Sequence, residues 1–413
     1  MPDLDILTRR YGSPYYVYEL DAVAGALADL RAALPAQSVL YYSLKANPHV
    51  AVARELRRSG CRAEISSTGE LAAALAAGFR AEDCLYTGPG KTIAEIEHAI
   101  AAGVRRFSAE SAGELDRIGR AAIARGVEAS VLLRVNGASD GATGLRMTGV
   151  PTQFGVDEEQ VLANPARFTA VPGARLVGLH LFPLSNARDE DSLIAAFRAS
   201  IALAARLRDR AGLPLAVVDL GGGFATPYAR PGARPRYHRL RAALAEALDD
   251  GVPGWRTDAM EIAFESGRYL VGDSGRLVTT VQDVKTTAGH TYVVLDAGIN
   301  HLGGMTGLGR LARPAVTPDG GDGVTAKVTL VGPLCTPADV LGRDVPAPVP
   351  TPGDRLVVPN VGAYGLSASL IAFLGRDAPT EVVLANGEVT DASRLRLART
   401  AAPILDELAL EVS

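Results

Sequence analysis

The sequence predicts an α/β fold: a closed (β/α)8 TIM barrel followed by a C-terminal β-rich domain. Three observations predict it. Between Val39 and Arg268 one pattern recurs eight times: a short apolar strand, a polar loop and an amphipathic helix. The strands are near-continuous apolar runs, as expected of a parallel sheet covered by helices. Eight such units are the number that closes a barrel, with a doubly wound open sheet as the alternative.

Taken in order, "YGSPYYVYEL" reads as a short strand ahead of a helix over Asp21–Leu34, and residues 1–34 are expected to join the second sheet. The barrel is expected over residues 35–270, with strands at Val39–Ala46, Arg62–Ser67, Cys84–Gly88, Arg105–Ser108, Ser130–Val135, Arg175–Phe182, Leu215–Leu220 and Glu261–Glu265. Helix starts are announced by capping boxes, Ser67 with Glu70, Thr92 with Glu95 and Ser111 with Glu114. Helix ends fall at Gly60, Gly78, Gly103 and Gly126, where a left-handed residue is needed. Beyond Tyr269 the texture changes, and residues 271–413 read as the β-rich domain. Leu277–Thr287 and Tyr292–Asp296 form a hairpin about Ala288–Gly289, and Val324–Val331 and Arg355–Pro359 are further strands. Asn386–Gly387 is a type I′ turn between "TEVVLA" and "EVTDAS". Gly320–Gly323 and Pro346–Pro352 read as loops, and a final helix is expected near Ala401–Leu410.

With 413 residues, 47% of them hydrophobic and 21% charged, the chain suits two globular domains. A net charge of −4 gives no reason to expect nucleic acid or a membrane surface as partner. Cys61, Cys84 and Cys335 are sparse and lack metal-ligand spacing, so no metal is expected and a reducing compartment is. No basic-apolar leader opens the chain and no apolar run spans a bilayer, so a cytoplasmic location is the expectation.

In such barrels chemistry sits at the C-terminal strand ends, and the unusual residues collect there. Lys45 ends the first strand, Glu64 lies in the second and Gly88-Pro89-Gly90 closes the third; Arg134, His180, Gly221–Gly223 and Glu265–Arg268 mark the fifth to eighth. A lysine at a buried strand end escapes to solvent or is used; desolvation lowers its pKa and makes the amine a nucleophile. Three glycines in "DLGGGF" let backbone N–H groups crowd onto a phosphate, unless they are only a tight turn; the spacing is not that of a dinucleotide fingerprint. Glu265 and Arg268 in "FESGRYL" suit a protonated ring nitrogen and a phosphate, or an internal ion pair. His180 in "GLHLF" stacks on a planar ligand or is a satisfied core histidine. Lysine, phosphate loop, carboxylate and histidine converge on pyridoxal 5′-phosphate.

At this point the chain resembles the fold-type III, alanine-racemase-like pyridoxal phosphate decarboxylases that act on diaminopimelate, ornithine, lysine and arginine. The motifs that carry the likeness run along nearly the whole chain: "YYSLKAN", "EISSTGE", "LLRVN", "HLF", "DLGGGF", "ESGR", "GPLCTPAD" and "GAYG". The resemblance implies that Lys45 holds the cofactor covalently, that His180 stacks on its ring and that Glu265 binds the ring nitrogen. It implies that Gly221, Gly222, Gly223, Ser266, Gly267, Arg268 and Tyr364 surround the phosphate, with Glu64 and Arg134 also about the cofactor. Cys335 would return a proton to the substrate carbon from a partner subunit, which implies a homodimer with shared active sites.

The departures bear on the substrate. After the cysteine, family members that act on free diamino acids carry an aspartate or a glutamate; here the position is the neutral Thr336, a substrate contact. Pro183 in "LFPLSN" stands where glycine-serine or glycine-threonine is usual, and Ser266 stands where proline is commonest. These variants look most like the branch that decarboxylates an amino acid tethered to an acyl carrier protein. A free amino acid, or a non-catalytic regulator, are the other readings. The basic run of Arg230, Arg234, Arg236, His238, Arg239 and Arg241 would then dock an acidic carrier, or be no more than a solvated face.

Overall fold

The computed structural model describes residues 3–136, 145–146, 152–257, 260–303 and 325–401. The chain opens with a helix over Leu4–Tyr11, strand β1 (Tyr15–Glu19) and a helix over Leu20–Ala33. Eight strands follow: β2 (Val39–Ser43), β3 (Arg62–Ile65), β4 (Cys84–Tyr86), β5 (Arg106–Ala109), β6 (Ala129–Asn136), β7 (Ala174–His180), β8 (Val217–Asp219) and β9 (Glu261–Ser266). Each pairs in parallel with the next, and β9 returns to β2 with Glu265 opposite Tyr41, so the sheet is a closed barrel and the open-sheet alternative is excluded.

The lumen is filled by Tyr41, Leu85, Leu132, Val177, Val217 and Ala263. Its N-terminal end is plugged by Glu261, which accepts from Arg62 (2.7 Å) and Arg106 (2.5 Å). That leaves the C-terminal end as the open one, where side chains can meet a ligand. The expected glycine caps are left-handed, with φ of 84° at Gly60, 90° at Gly78, 105° at Gly103 and 65° at Gly126. Of the three capping boxes, Thr92–Glu95 forms in full. At the other two the serine caps as expected, but the glutamate reaches one residue further back, Glu70 to the Ser66 N–H and Glu114 to the Glu110 N–H, each at 2.7 Å.

The second sheet is mixed: β10 (Gly275–Thr287), β11 (His290–Leu295), β12 (Thr325–Val331), β13 (Val340–Pro348), β14 (Arg355–Val358), β15 (Thr380–Ala385) and β16 (Glu388–Arg394) join β1. β1 lies between β10, antiparallel, and β15, parallel. One expectation is corrected here. The supposed loop at Pro346–Pro352 begins inside β13, whose Pro346 and Pro348 face Lys327 and Thr325. β13 is an edge strand, where proline's missing N–H deprives no neighbour of a partner. The opening helix was not anticipated either; Asp3 caps it by accepting from the Asp5 N–H. Gly320–Gly323 and the helix expected near Ala401–Leu410 lie outside the described residues, apart from Ala401. Among the described residues no helix is long and apolar enough to cross a membrane.

The basic run after β8 is not uniform. Arg234 is pinned between Asp29 (2.5 Å) and Asp273 and lies over the Tyr269 ring, its side chain 16% exposed. It is therefore a structural arginine, tying the loop to the Leu20–Ala33 helix and to the turn that enters the second sheet. Arg239 meets Asp191 (2.7 Å) and Arg241 donates to the Arg31 carbonyl (2.7 Å), both at the surface. Arg230, Arg236 and His238 are exposed. Removing one member of a largely buried ion pair strands the other. Arg234→Ala is therefore expected to lower stability by about 3 kcal/mol in urea unfolding, where an exposed pair would lose under about 1 kcal/mol.

Candidate active site

β2 ends at Ser43, and a single 3-10 turn over Leu44–Ala46 lifts Lys45 onto the barrel rim before Asn47–Pro48 breaks the chain. The neighbouring strand brings Glu64 opposite Ser43. Lys45 Nζ donates to both Glu64 oxygens, at 2.9 and 3.0 Å. Glu64 also accepts from Thr87 Oγ1 and from Ser66 Oγ at 3.4 Å. Burial alone would lower the amine's pKa, but the charge of Glu64 outweighs it and holds Lys45 above the ordinary lysine range. With 40% of the side chain open to the cleft, water further favours the ammonium. Of the states open to a lysine at a buried strand end, neutral, paired or covalently used, the structure shows the paired one: before any carbonyl arrives, Lys45 is a paired cation. The same pair keeps Glu64 ionised, below the usual carboxylate range despite full burial.

Across the barrel mouth, β7 and β9 present His180 and Glu265. Ser108 Oγ satisfies His180 Nδ1 at 2.7 Å, whereas His180 Nε2 and Glu265 Oε1, 3.4 Å apart, have no hydrogen-bond partner. His180 is thus only half a satisfied core histidine. Burial, followed by the charges of Arg134 and Lys45, pushes the imidazole well below its usual range. Burial, then Glu64 and Asp219, push Glu265 well above its own. Two neutral groups with free, inward-facing polar atoms result. Asp219, at the end of β8, accepts from the Gly221 N–H (2.9 Å), and burial pushes it up to about 7.

The glycines after β8 form a close-fitting cradle. A methyl on Gly221 would meet the Phe182 ring at 2.6 Å, and one on Gly222 the Glu265 carbonyl oxygen at 2.6 Å. Gly223 has φ 109°, a conformation few side chains tolerate. A narrow cleft is lined by Lys45, Gly222, Gly223, Glu265, Ser266, Gly267, Arg268 and Tyr364, with Ser43, Phe182, Ser185, Asn186 and Phe224 completing the wall. Arg268 does not pair with Glu265; its guanidinium lies 4.8 Å from the centre of the Tyr364 ring. Tyr364, from the second sheet's side, reaches the cleft with φ 55°, its N–H on the Ala46 carbonyl (2.7 Å) and its carbonyl accepting from Tyr228 (3.0 Å). Ser266 Oγ is buried without a partner. The orphaned Glu265 and His180 atoms suit a ring with a protonatable nitrogen, and the glycine cradle with Arg268 suits a phosphate. The residues therefore fit pyridoxal phosphate.

Other expected residues fall elsewhere. Arg134 is engaged by Glu110 (2.9 Å) and packs over Phe154, outside the cleft lining. Cys335, exposed, and Thr336, half-buried, sit on the loop between β12 and β13 and do not line the cleft of their own chain. Several residues were missed in the sequence. Ser108 orients His180 and Thr87 holds Glu64, both from strand ends already placed on the rim, so position alone could have marked them. Lys91 lies buried on Glu114 (2.8 Å) and the Ser108 carbonyl (2.8 Å), and no sequence signal pointed to it.

Comparison with known proteins agrees with this geometry. The family described as pyridoxal-dependent decarboxylase, pyridoxal binding domain, matches residues 20–272. The L-glutamyl-(BtrI acyl-carrier protein) decarboxylase of Niallia circulans is 34% identical over 393 residues, covering 93% of this chain and 92% of that protein. A diaminopimelate decarboxylase of Neisseria meningitidis is 31% identical, covering 98% and 97%. The crystal structure of Helicobacter pylori diaminopimelate decarboxylase complexed with L-lysine superposes with a TM-score of 0.82 at 26% identity, covering 96% and 97%. The likeness extends through barrel and second sheet alike, and a cleft that suits a phosphorylated pyridine ring lies where the matched domain is named for holding one. The chain belongs to the pyridoxal-dependent decarboxylases, and its reaction is the pyridoxal-phosphate-dependent removal of the carboxylate of an amino acid.

Proposed function

We propose that the substrate is an amino acid carried on an acyl carrier protein, and that the working unit is a homodimer in which each cleft is completed by its neighbour. The observation that carries the substrate reading is Thr336. The residue after Cys335 is neutral, so that position offers no carboxylate to grip a distal ammonium. The 34% identity to a decarboxylase named for a carrier-bound glutamyl substrate supports the same reading. The exposed Arg230 and Arg236, the latter 3.5 Å from Asp29, supply a positive approach for an acidic carrier; Arg234, held inside by Asp29 and Asp273, does not take part.

Pyridoxal phosphate, when bound, supplies a ring that takes up the electron pair released as carbon dioxide leaves. The protein's own residues do the rest. Lys45 Nζ, once it had given up the proton it shares with Glu64, would be the nucleophile that anchors the cofactor. Glu265, neutral while its oxygen faces no partner, would hold a proton at Oε1 where the cofactor's ring nitrogen would lie. His180, fixed by Ser108, offers a neutral flat face that does not compete for that proton. The glycine cradle, Ser266 and Arg268 hold the phosphate, and Tyr364 closes it over. Cys335 of the partner subunit returns a proton to the carbon that has lost its carboxylate, a contribution typically of about 10²–10⁴-fold in rate.

Borohydride reduction of the loaded enzyme should fix the pyridoxyl group on the peptide that contains Lys45. Glu64→Gln removes the charge that holds Lys45 protonated. The pH profile of cofactor loading, followed by absorbance, should therefore move to lower pH, because more of the amine is neutral at any given pH. A label on another lysine, or an unmoved profile in a folded variant, would contradict the assignment.

The shared cleft is tested by mixing Lys45→Ala with Cys335→Ala enzyme. Each is impaired alone, and subunit exchange should restore part of the activity by creating one intact cleft per heterodimer. Heterodimers that form without any gain would exclude the arrangement.

For the carrier, Arg230→Glu combined with Arg236→Glu should raise KM for carrier-bound substrate by roughly tenfold at low salt. The effect should shrink at physiological ionic strength, where the Debye length is about 8 Å. Turnover of a small thioester surrogate should be unchanged. Efficient decarboxylation of a free amino acid with no response to carrier would favour the free-substrate reading, to which the 31% identity with a diaminopimelate decarboxylase also points.

A further inference from the structure

Beside the Lys45 turn lies a second cavity of about 290 Å³, between the barrel rim and the second sheet. It shares no lining residue with the active-site cleft. One wall is the strap that joins the two sheets: Asn47 donates to the Gly362 carbonyl at 2.9 Å, and both residues line the cavity. Val50, Leu366 and Leu395 supply an apolar flank.

The polar end is acidic, and the one basic group near it is His49, whose Nε2 lies 3.9 Å from Asp391 Oδ2. Glu381, on β15, is only 7% exposed. Its Oε1 accepts from Tyr18 at 2.9 Å, and no donor among the described residues reaches Oε2. Asp391 lines the same end and acts on Glu381 through its charge. The one basic side chain in the lining is His49. Its Nδ1 accepts from the Ala51 N–H (3.3 Å) and its Nε2 meets Ser393 Oγ (3.0 Å); burial lowers its pKa more than the Asp391 charge raises it, so it is neutral and leaves both carboxylates without a full positive charge. A buried carboxylate is normally matched by a cation or by a full set of donors. Here an acceptor oxygen opens onto a cavity that contains neither. Burial duly pushes the Glu381 carboxyl up to about 7.

From this geometry we infer that the cavity is a second small-molecule site that takes an aliphatic primary amine. The ammonium supplies three donors, enough for Glu381 Oε2 and the Asp391 carboxylate, while the alkyl chain lies along Val50, Leu366 and Leu395. The site stands one residue from Lys45 along the chain, and it holds Gly365, the residue after Tyr364, in its wall. It is independent of whether the substrate of the cleft is free or carrier-bound.

The test is isothermal titration calorimetry with 1,5-diaminopentane and pentylamine on the borohydride-reduced holoenzyme, whose active-site lysine is blocked. Both amines should bind saturably, one per chain, and pentanol, with the same chain and no charge, should not. Glu381→Gln keeps the Tyr18 hydrogen bond but removes the charge, and should weaken binding at least roughly tenfold. Ser393→Arg, at the exposed edge, places a guanidinium against the acidic end and should abolish binding without touching the buried core. Thermal melting of each variant separates lost binding from lost fold. Absence of saturable binding to the reduced enzyme, or equal affinity in folded Glu381→Gln or Ser393→Arg enzyme, would overturn the inference.

Discussion

The ammonium of Lys45 is the charge around which the mouth of the barrel is balanced. Glu64 is fully buried and still ionised because that ammonium sits on both its oxygens. Burial first, and then the charge of Glu64, keep Glu265 neutral. Burial first, and then the charges of Arg134 and Lys45, keep His180 neutral as well. Burial and one ion pair thus act in the same direction, and the resulting states are the ones a protonatable ring needs: a proton on the carboxyl that faces it and none on the imidazole beside it. The price of this arrangement is that Lys45 rests in the form that cannot attack.

Position within the fold makes the balance possible. Closure of the barrel through β9 and β2 sets Glu265 two residues before Gly267, whose lack of a side chain admits Ala46 and the Ser43 carbonyl at close range. The N-terminal plug of Arg62, Arg106 and Glu261 keeps a separate set of charges at the far end, beyond a layer of aliphatic side chains. The second sheet then contributes the lid of the phosphate site through Tyr364, a bulky residue held at positive φ by bonds to Ala46 and Tyr228. Such a conformation persists only where its surroundings over-determine it, and it is found at the one point where the two sheets meet the cleft.

Much of this was legible in the sequence because it depends on local rules. Strand length, capping pairs and left-handed glycines are written in neighbouring residues, and they placed all eight barrel strands to within a few positions. Lys45, His180, the glycine run and Glu265 stood out because each is a poor fit to the apolar strand that carries it. What was not legible depends on contacts between distant segments. Arg234 reads as one member of a basic run, and only folding shows that Asp29, some two hundred residues away, neutralises it. The ionised state of Lys45 depends on Glu64 one strand over, which desolvation taken alone could not reveal. The prolines of β13 spelled a loop because an edge position, unlike a proline, leaves no mark in the sequence.

The place of β1 has a consequence for synthesis on the ribosome. Tyr15–Glu19 emerges early, yet its two partners are β10, which begins at Gly275, and β15, which ends at Ala385. The barrel strands are complete by Ser266. For the whole time in which the barrel is made, a strand with four consecutive tyrosine and valine residues, buried in the finished protein, has neither edge covered. The nascent chain thus carries an adhesive segment upstream of the barrel until nearly the last of the second sheet has been translated. Its exposure ends only when a late segment closes around an early one, so translation speed beyond Gly275 governs how long the chain is open to mispairing with its neighbours.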